Sequence, residues 1–284
     1  MKRRALLNSA LTAGTFSLLA SKDRTVAAEE PRLEIIDTNV SLFHWPFRRL
    51  PLDETDRLVK KLSSLGIGQA WAGSFEGVFQ RDIRAVNQRL VSACAAHDLL
   101  VPIGSINPEL PGWEDDLRRC REDHHMPGIR LHPNYHGYSL ADENFPRLLS
   151  LATNLKLFVQ IAVALEDIRT QAANLQVADV DLTPLPEILK QHSAARLQIL
   201  NWKPRGAVPK ALAEASGVYF DTARVEGTDG VAALLNIIPS ERVMFGTHAP
   251  FLIPEASLIR VHESKLANDD LRSVLQGNAN RIHF

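Results

Sequence analysis

The sequence predicts an α/β chain, a single (β/α)8 TIM-like barrel preceded by a signal peptide. Three observations carry this. Past residue 32, short apolar runs alternate with helical patterns through eight units with no long internal linker. The runs end in polar residues, as barrel strands do at the rim where sites are built. No Gly-rich phosphate loop follows the first run, as a doubly wound open sheet would usually show. Length and composition agree: 284 residues, 45% hydrophobic and 23% charged, suffice for one domain of barrel size or two smaller ones.

Strands are expected over 33–40, 68–72, 100–106, 128–132, 157–163, 196–201, 218–222 and 242–247. The first turns polar at its end, and strand alternation places Asp37, Asn39 and Ser41 on one face. Helices are expected over 54–65, 83–96, 113–123, 144–153, 184–191, 208–215 and 230–237, with a last one from 254 towards 276. Asp53 stands as the N-cap of the first. Pro184 and Pro209 suit first turns, and Pro239-Ser240-Glu241 stops a helix ahead of the last strand. Two long loops, 41–53 and 167–183, would lie at the C-terminal rim. Trp45 and Phe47 in the first of them either roof a pocket or pack the loop down.

The N-terminus is different material. Met1-Lys2-Arg3-Arg4, a mild apolar run over 10–20 and the small residues Val26-Ala27-Ala28 make a secretory signal over 1–28. The Arg3-Arg4 pair and the weak apolar region resemble a twin-arginine signal, which implies an exported, periplasmic or cell-envelope protein. The run is too short and polar for a membrane span. Without it the chain, domain 29–284, carries net charge −5. No run of one charge sign points to nucleic acid. Cys94 and Cys120 fall in expected helices without metal spacing and read as two buried thiols, with a disulfide the alternative in an oxidising compartment.

Polar residues converge on the barrel mouth: Asn39 and Ser41 from the first strand, Arg130 and His132 from the fourth with Tyr135 and His136 beyond, Gln160 from the fifth and Asn201 from the sixth. Asp221 comes from the seventh with Arg224 beyond, and His248 from the eighth. Each alone could be a satisfied core group. Burying so many unpaired would cost a few kcal/mol apiece, so the set reads as a network or a pocket.

Five segments carry a resemblance: Ile36-Asp37-Thr38-Asn39-Val40-Ser41-Leu42-Phe43, Gly128-Ile129-Arg130-Leu131-His132-Pro133, Val218-Tyr219-Phe220-Asp221, Arg242-Val243-Met244-Phe245-Gly246-Thr247-His248-Ala249-Pro250-Phe251 and Gly277-Asn278-Ala279-Asn280-Arg281-Ile282-His283-Phe284. Over residues 33–284 the chain resembles the amidohydrolase superfamily, in its amidohydrolase-related group of metal-dependent hydrolases and decarboxylases. The resemblance implies a divalent metal on two first-strand histidines, one each from the fifth and sixth strands and an aspartate from the eighth. Those places read Asn39, Ser41, Gln160, Asn201 and His248. Neutral amides and a hydroxyl are feeble ligands, so no metal and no other cofactor is expected.

Two functions follow. One is a metal-independent hydrolase of a small carboxylated ester or lactone. His248 is its general base, Arg130 with His132 or Arg224 holds a carboxylate or developing oxyanion, and Asn39, Ser41, Gln160, Asn201, Tyr135, His136 and Asp221 line the site. The other is an inactive barrel that binds a small polar ligand. The partner in both is a small molecule; a homo-oligomer is compatible with either.

Overall fold

The structure, a computed structural model, describes residues 34–203 and 208–282, with backbone alone at 208 and 209. The expected signal peptide lies outside the described residues. The barrel belongs to the unit Leu33–Phe284.

Eight strands run in chain order: β1 (Ile35–Leu42), β2 (Ile67–Ser74), β3 (Leu100–Ser105), β4 (Gly128–Leu131), β5 (Phe158–Ala162), β6 (Leu197–Leu200), β7 (Val218–Asp221) and β8 (Val243–Met244). Every neighbouring pair is parallel. The segment after β8 meets β1 and closes the ring: Thr38 N donates to Phe245 O at 2.9 Å, Ser41 N to Ala249 O at 2.9 Å, and His248 N to Asn39 O at 2.8 Å. The expected (β/α)8 barrel is therefore present.

The helices are α1 (Thr55–Ser64), α2 (Glu76–Phe79), α3 (Ile83–Cys94), α4 (Trp113–Glu122), α5 (Pro133–His136), α6 (Asn144–Asn154), α7 (Leu185–Gln191), α8 (Val208–Glu214), α9 (Gly230–Leu235), α10 (Pro254–Glu263), α11 (Asn268–Arg272) and α12 (Asn278–Arg281). Each longer helix buries one stripe. Leu58 and Leu62 do so in α1, Ile83, Val86, Leu90 and Cys94 in α3, and Trp113, Leu117 and Cys120 in α4. Among the described residues no helix is long and apolar enough to cross a membrane.

Four expectations are corrected. Asp53 does not cap α1: Glu54 stands at the cap, and Asp53 accepts from Leu50 N at 3.1 Å and from Arg49. The last helix is not continuous, because Ala267 is extended (φ −58, ψ 149) and separates α10 from α11. A π-helical turn, Ser273–Gly277, then leads into α12. The short α2 and α5 were not anticipated, since four residues are too few to show a period. Finally, β1 does not alternate strictly. Its pairing with β2 is irregular between Asp37 and Val40, so the adjacent Thr38 and Asn39 both enter the barrel's polar network.

The interior is layered. Ile36, Trp71, Ile103, Phe158 and Met244 pack with Ala279 and Ile282 towards the strand starts. Polar side chains fill the middle. At the C-terminal end Trp45, Phe75 and Leu165 form an apolar cap with Tyr135 and Phe251.

Candidate functional site

Register builds the first half of the site. Arg130, Gln160 and Gln198 are cross-strand neighbours on β4, β5 and β6. Arg130 Nε donates to Gln160 Oε1 at 2.8 Å, Gln160 Nε2 to Gln198 Oε1 at 2.8 Å, and Gln198 Nε2 to Thr38 Oγ1 at 2.6 Å. Thr38 Oγ1 donates in turn to Phe245 O at 2.8 Å. The relay crosses the lumen and closes β4, β5 and β6 onto β1 and β8. Arg130 also donates to Val40 O at 2.9 Å, Ser41 Oγ at 3.2 Å and Trp71 O at 3.3 Å. Burial pulls its pKa down to about 10 while Asp221 and Asp37 pull it back up. Gly73 makes room: a Cβ there would lie 2.7 Å from Arg130 Nη1.

Asn39, Asn201 and Asp221 form the second half. Asn39 Nδ2 donates to Asn201 Oδ1 at 2.8 Å and to Asp221 Oδ2 at 2.6 Å, and Asn201 N donates to Asp221 Oδ1 at 3.0 Å. Burial raises the Asp221 pKa to about 7. Asp37 accepts from Thr247 Oγ1 at 2.6 Å and from Thr247 N at 3.0 Å, and burial raises it to about 6.

His248 follows β8 on left-handed backbone (φ 57), uncommon for a residue with a side chain. Its Nε2 lies 2.7 Å from Leu165 O. A carbonyl only accepts, so Nε2 carries the proton and Nδ1 keeps a bare lone pair. Burial pushes its pKa down to about 3; the ring is only 2% exposed and packs against Phe251 at 5.1 Å. His132 is buried with Nδ1 unpartnered, and burial holds it well below the usual histidine range. His136 Nε2 meets Gly77 O at 3.0 Å, and burial lowers it to about 4. Tyr135 lies under Trp45, at 6.0 Å between ring centroids.

Above His248 opens a cavity of about 350 Å³, lined by the rim after β5 to β8, by Arg48 and by Arg260. Arg48 pairs with Glu166 at 2.5 Å, and Lys203 with Glu226 at 2.5 Å. Arg224, half-buried on the same wall, forms no hydrogen bond or ion pair among the described residues.

The structure thus divides the expected site. His248 and Arg224 line the cavity. Asn39, Ser41, Gln160, Asn201 and Asp221 are joined inside the barrel instead, Tyr135 packs into the apolar cap, and the buried His132 and half-buried His136 lie beside it. Arg130 was expected to clamp a substrate carboxylate; its N–H groups are spent on four internal acceptors instead. Sequence reasoning missed Gln198, although a polar residue inside Leu197-Gln198-Ile199-Leu200 is the same signal that marked Gln160. It also missed Glu166, Arg48, Lys203 and Arg260, which no local pattern distinguishes from ordinary surface charge.

A family profile described as amidohydrolase matches residues 41–283. The chain belongs to the amidohydrolase family. Among solved structures of this barrel type, a 2,6-dihydroxybenzoate decarboxylase from Rhizobium superposes with a TM-score of 0.70 at 13% identity, covering 88% of this chain and 98% of its own. A 5-carboxyvanillate decarboxylase from Novosphingobium aromaticivorans, with manganese and 4-hydroxy-3-methoxy-5-nitrobenzoic acid, gives 0.70 at 14%, covering 88% and 96%. A dihydroxybenzoic acid decarboxylase from Polaromonas, with manganese and 2-nitroresorcinol, gives 0.68 at 13%, covering 88% and 96%. No curated protein is matched by sequence.

Does this amidohydrolase barrel offer a divalent ion a place? The Ser41 hydroxyl and the Gln160 carbonyl oxygen both face the Arg130 guanidinium. Asn39 turns its NH2 to Asp221, and Asn201 Oδ1 accepts from Asn39. His248 turns Nε2 to Leu165, which leaves its Nδ1 and the Asn39 Oδ1 as the two acceptors of this set without a partner among the described residues, too few and too neutral to hold the ion alone. Neutral or committed donors beside a fixed cation do not fit such an ion. One trio elsewhere, His44, Asp53 and Glu54, brings ligand atoms within 4.8 Å of one another, but Arg49 pairs with both carboxylates.

Proposed function

We propose that this amidohydrolase-family barrel binds a small carboxylated molecule in the cavity over β5 to β8, with Arg224 as the carboxylate's partner. One observation carries the reading. Among the described residues Arg224 forms no hydrogen bond or ion pair, whereas on the same wall Arg48 and Lys203 are each paired with a carboxylate and Arg260 donates to Ala223 O at 3.4 Å. A guanidinium fork recognises a carboxylate in two parallel bonds. Neutral His248 at the cavity wall keeps a buried Nδ1 acceptor without a partner among the described residues. The Novosphingobium neighbour holds a carboxylated aromatic ring, 4-hydroxy-3-methoxy-5-nitrobenzoic acid.

The test is calorimetric titration with benzoate and hydroxylated benzoates against the parent and Arg224→Ala. Binding by the parent that falls about tenfold or more in the variant supports the assignment; equal binding by both defeats it.

A second reading is hydrolysis of an ester or lactone, favoured by the bare Nδ1 of His248. Its weakness is basicity: a conjugate acid with a pKa of about 3 has little drive to take a proton from water. Ester and lactone hydrolysis lost on His248→Ala would restore it. We further propose export, which rests on the signal-like sequence of residues 1–28 and is tested by cell fractionation.

A further inference from the structure

We propose that the Arg130 guanidinium is the resident cation of this barrel, taking up the Ser41 and Gln160 oxygens that a divalent ion would need and holding them in its stead.

The argument begins with burial. Arg130 is 2% exposed, and its contacts are neutral oxygens: Gln160 Oε1, Val40 O, Ser41 Oγ and Trp71 O. A bare cation taken out of water this fully is costly unless opposite charge lies near. That charge is supplied by Asp221 and Asp37, both buried and both acting on Arg130. Among the described residues neither carboxylate has a cationic partner in hydrogen-bond contact: Asp37 is held by Thr247 and by Asn39 N, Asp221 by Asn39, Asn201 and the Ala223 backbone. Two buried carboxyl groups and one buried guanidinium, none in direct contact with another, act on one another across intervening amides and hydroxyls.

The backbone is shaped for it. Any side chain at Gly73 would strike the guanidinium, with Cβ 2.7 Å from Nη1 and 2.9 Å from Cζ. Ser41 and Gln160, two of the positions where the family resemblance called for metal-binding histidines, present their oxygens to Arg130 N–H groups. An added ion would have to displace this guanidinium or sit against it. The inference is independent of whatever ligand the outer cavity takes.

The experiment uses the full chain. The protein is dialysed against Mn2+ or Zn2+, then analysed for bound metal and for melting temperature, with EDTA as the opposite treatment. His44→Ala serves as the background, which removes a ligand of the surface trio. Neither metal retained in stoichiometric amount nor a melting temperature that climbs with metal concentration is expected; either result overturns the proposal. Arg130→Met should melt well below the parent and Arg130→Lys between the two, because the lysine keeps the charge. Lysine no better than methionine, or methionine as stable as the parent, overturns the charge role. If Arg130→Met does not fold, Arg130→Lys against the parent still reads the charge, and Gly73→Ala reads the fit of the guanidinium separately. It leaves every charge in place but crowds the guanidinium, and should lower the melting temperature; an unchanged melt counts against the proposal.

Discussion

Asn39 donates an amide N–H to Asp221 Oδ2 at 2.6 Å, joining the β1 and β7 ends of the barrel inside a buried network. The same Nδ2 reaches Asn201, so one side chain ties three strand ends together. Asn39→Ala strips Asp221 Oδ2 of this donor and leaves Asn201 Oδ1 without one. A loss of about 1–3 kcal/mol is expected, read from chemical denaturation. A change within about 0.5 kcal/mol would mean the network is not holding these strands.

Buried groups set two opposing pH trends. Burial raises the folded pKa of Asp37 to about 6 and of Asp221 to about 7. An acid with a raised folded pKa binds its proton more tightly in the native state. Its contribution is complete below pH ~4 and is lost as pH climbs through those values. Burial pushes His248 down to about 3 and His136 to about 4, and holds His132 low. Their contribution is complete above pH ~6.5 and is lost on acidification. Between pH ~4 and ~6 three histidines outnumber two carboxyls, so stability falls on acidification by up to ~1.4 kcal/mol per pH unit. Asp221→Asn removes one opposing carboxyl and should steepen that fall. Denaturation midpoints across this range measure it, and a flatter profile would contradict the assignment.

Trp45 is 2% exposed and lies within 6.0 Å, centroid to centroid, of Phe47, Phe75, Phe79, Tyr135 and Phe251. It packs its own loop down and closes the β1–β2 side of the mouth. Trp45→Ala should cost about 3–5 kcal/mol, as large-to-small changes in a packed aromatic core do. Trp45→Phe should recover most of that in the same denaturation measurement.

Cys94 and Cys120 are free and buried, and burial pushes both thiols up to about 12. Neither should react with a thiol reagent in the native protein, and both should react in denaturant. A labelled native thiol, counted by mass spectrometry, would show that one of these helices opens.

How much was legible depends on how far the cause reaches along the chain. The strand positions were legible because apolar runs and polar run-ends are local, and Gln160, Asn201, Asp221 and His248 stand where that pattern placed them. The β1 irregularity was not, since the pairing with β2 decides it and Asp37-Thr38-Asn39 shows nothing unusual by itself.

By itself the sequence determined the barrel, its strand order and the polar character of its interior, because alternation, helical period and turn residues act over a few positions. Tertiary structure decided which polar groups meet. Ring closure brings Thr38 to Gln198 and Arg130 to Ser41, across 160 and 89 positions of chain, and so commits Arg130 to the interior. The same closure gathers Arg48, Glu166, Lys203, Arg224 and His248 around one cavity from five separate segments. Hydrogen-bond partners and charge balance depend on distances in space, and at these separations along the chain only the closed barrel sets them.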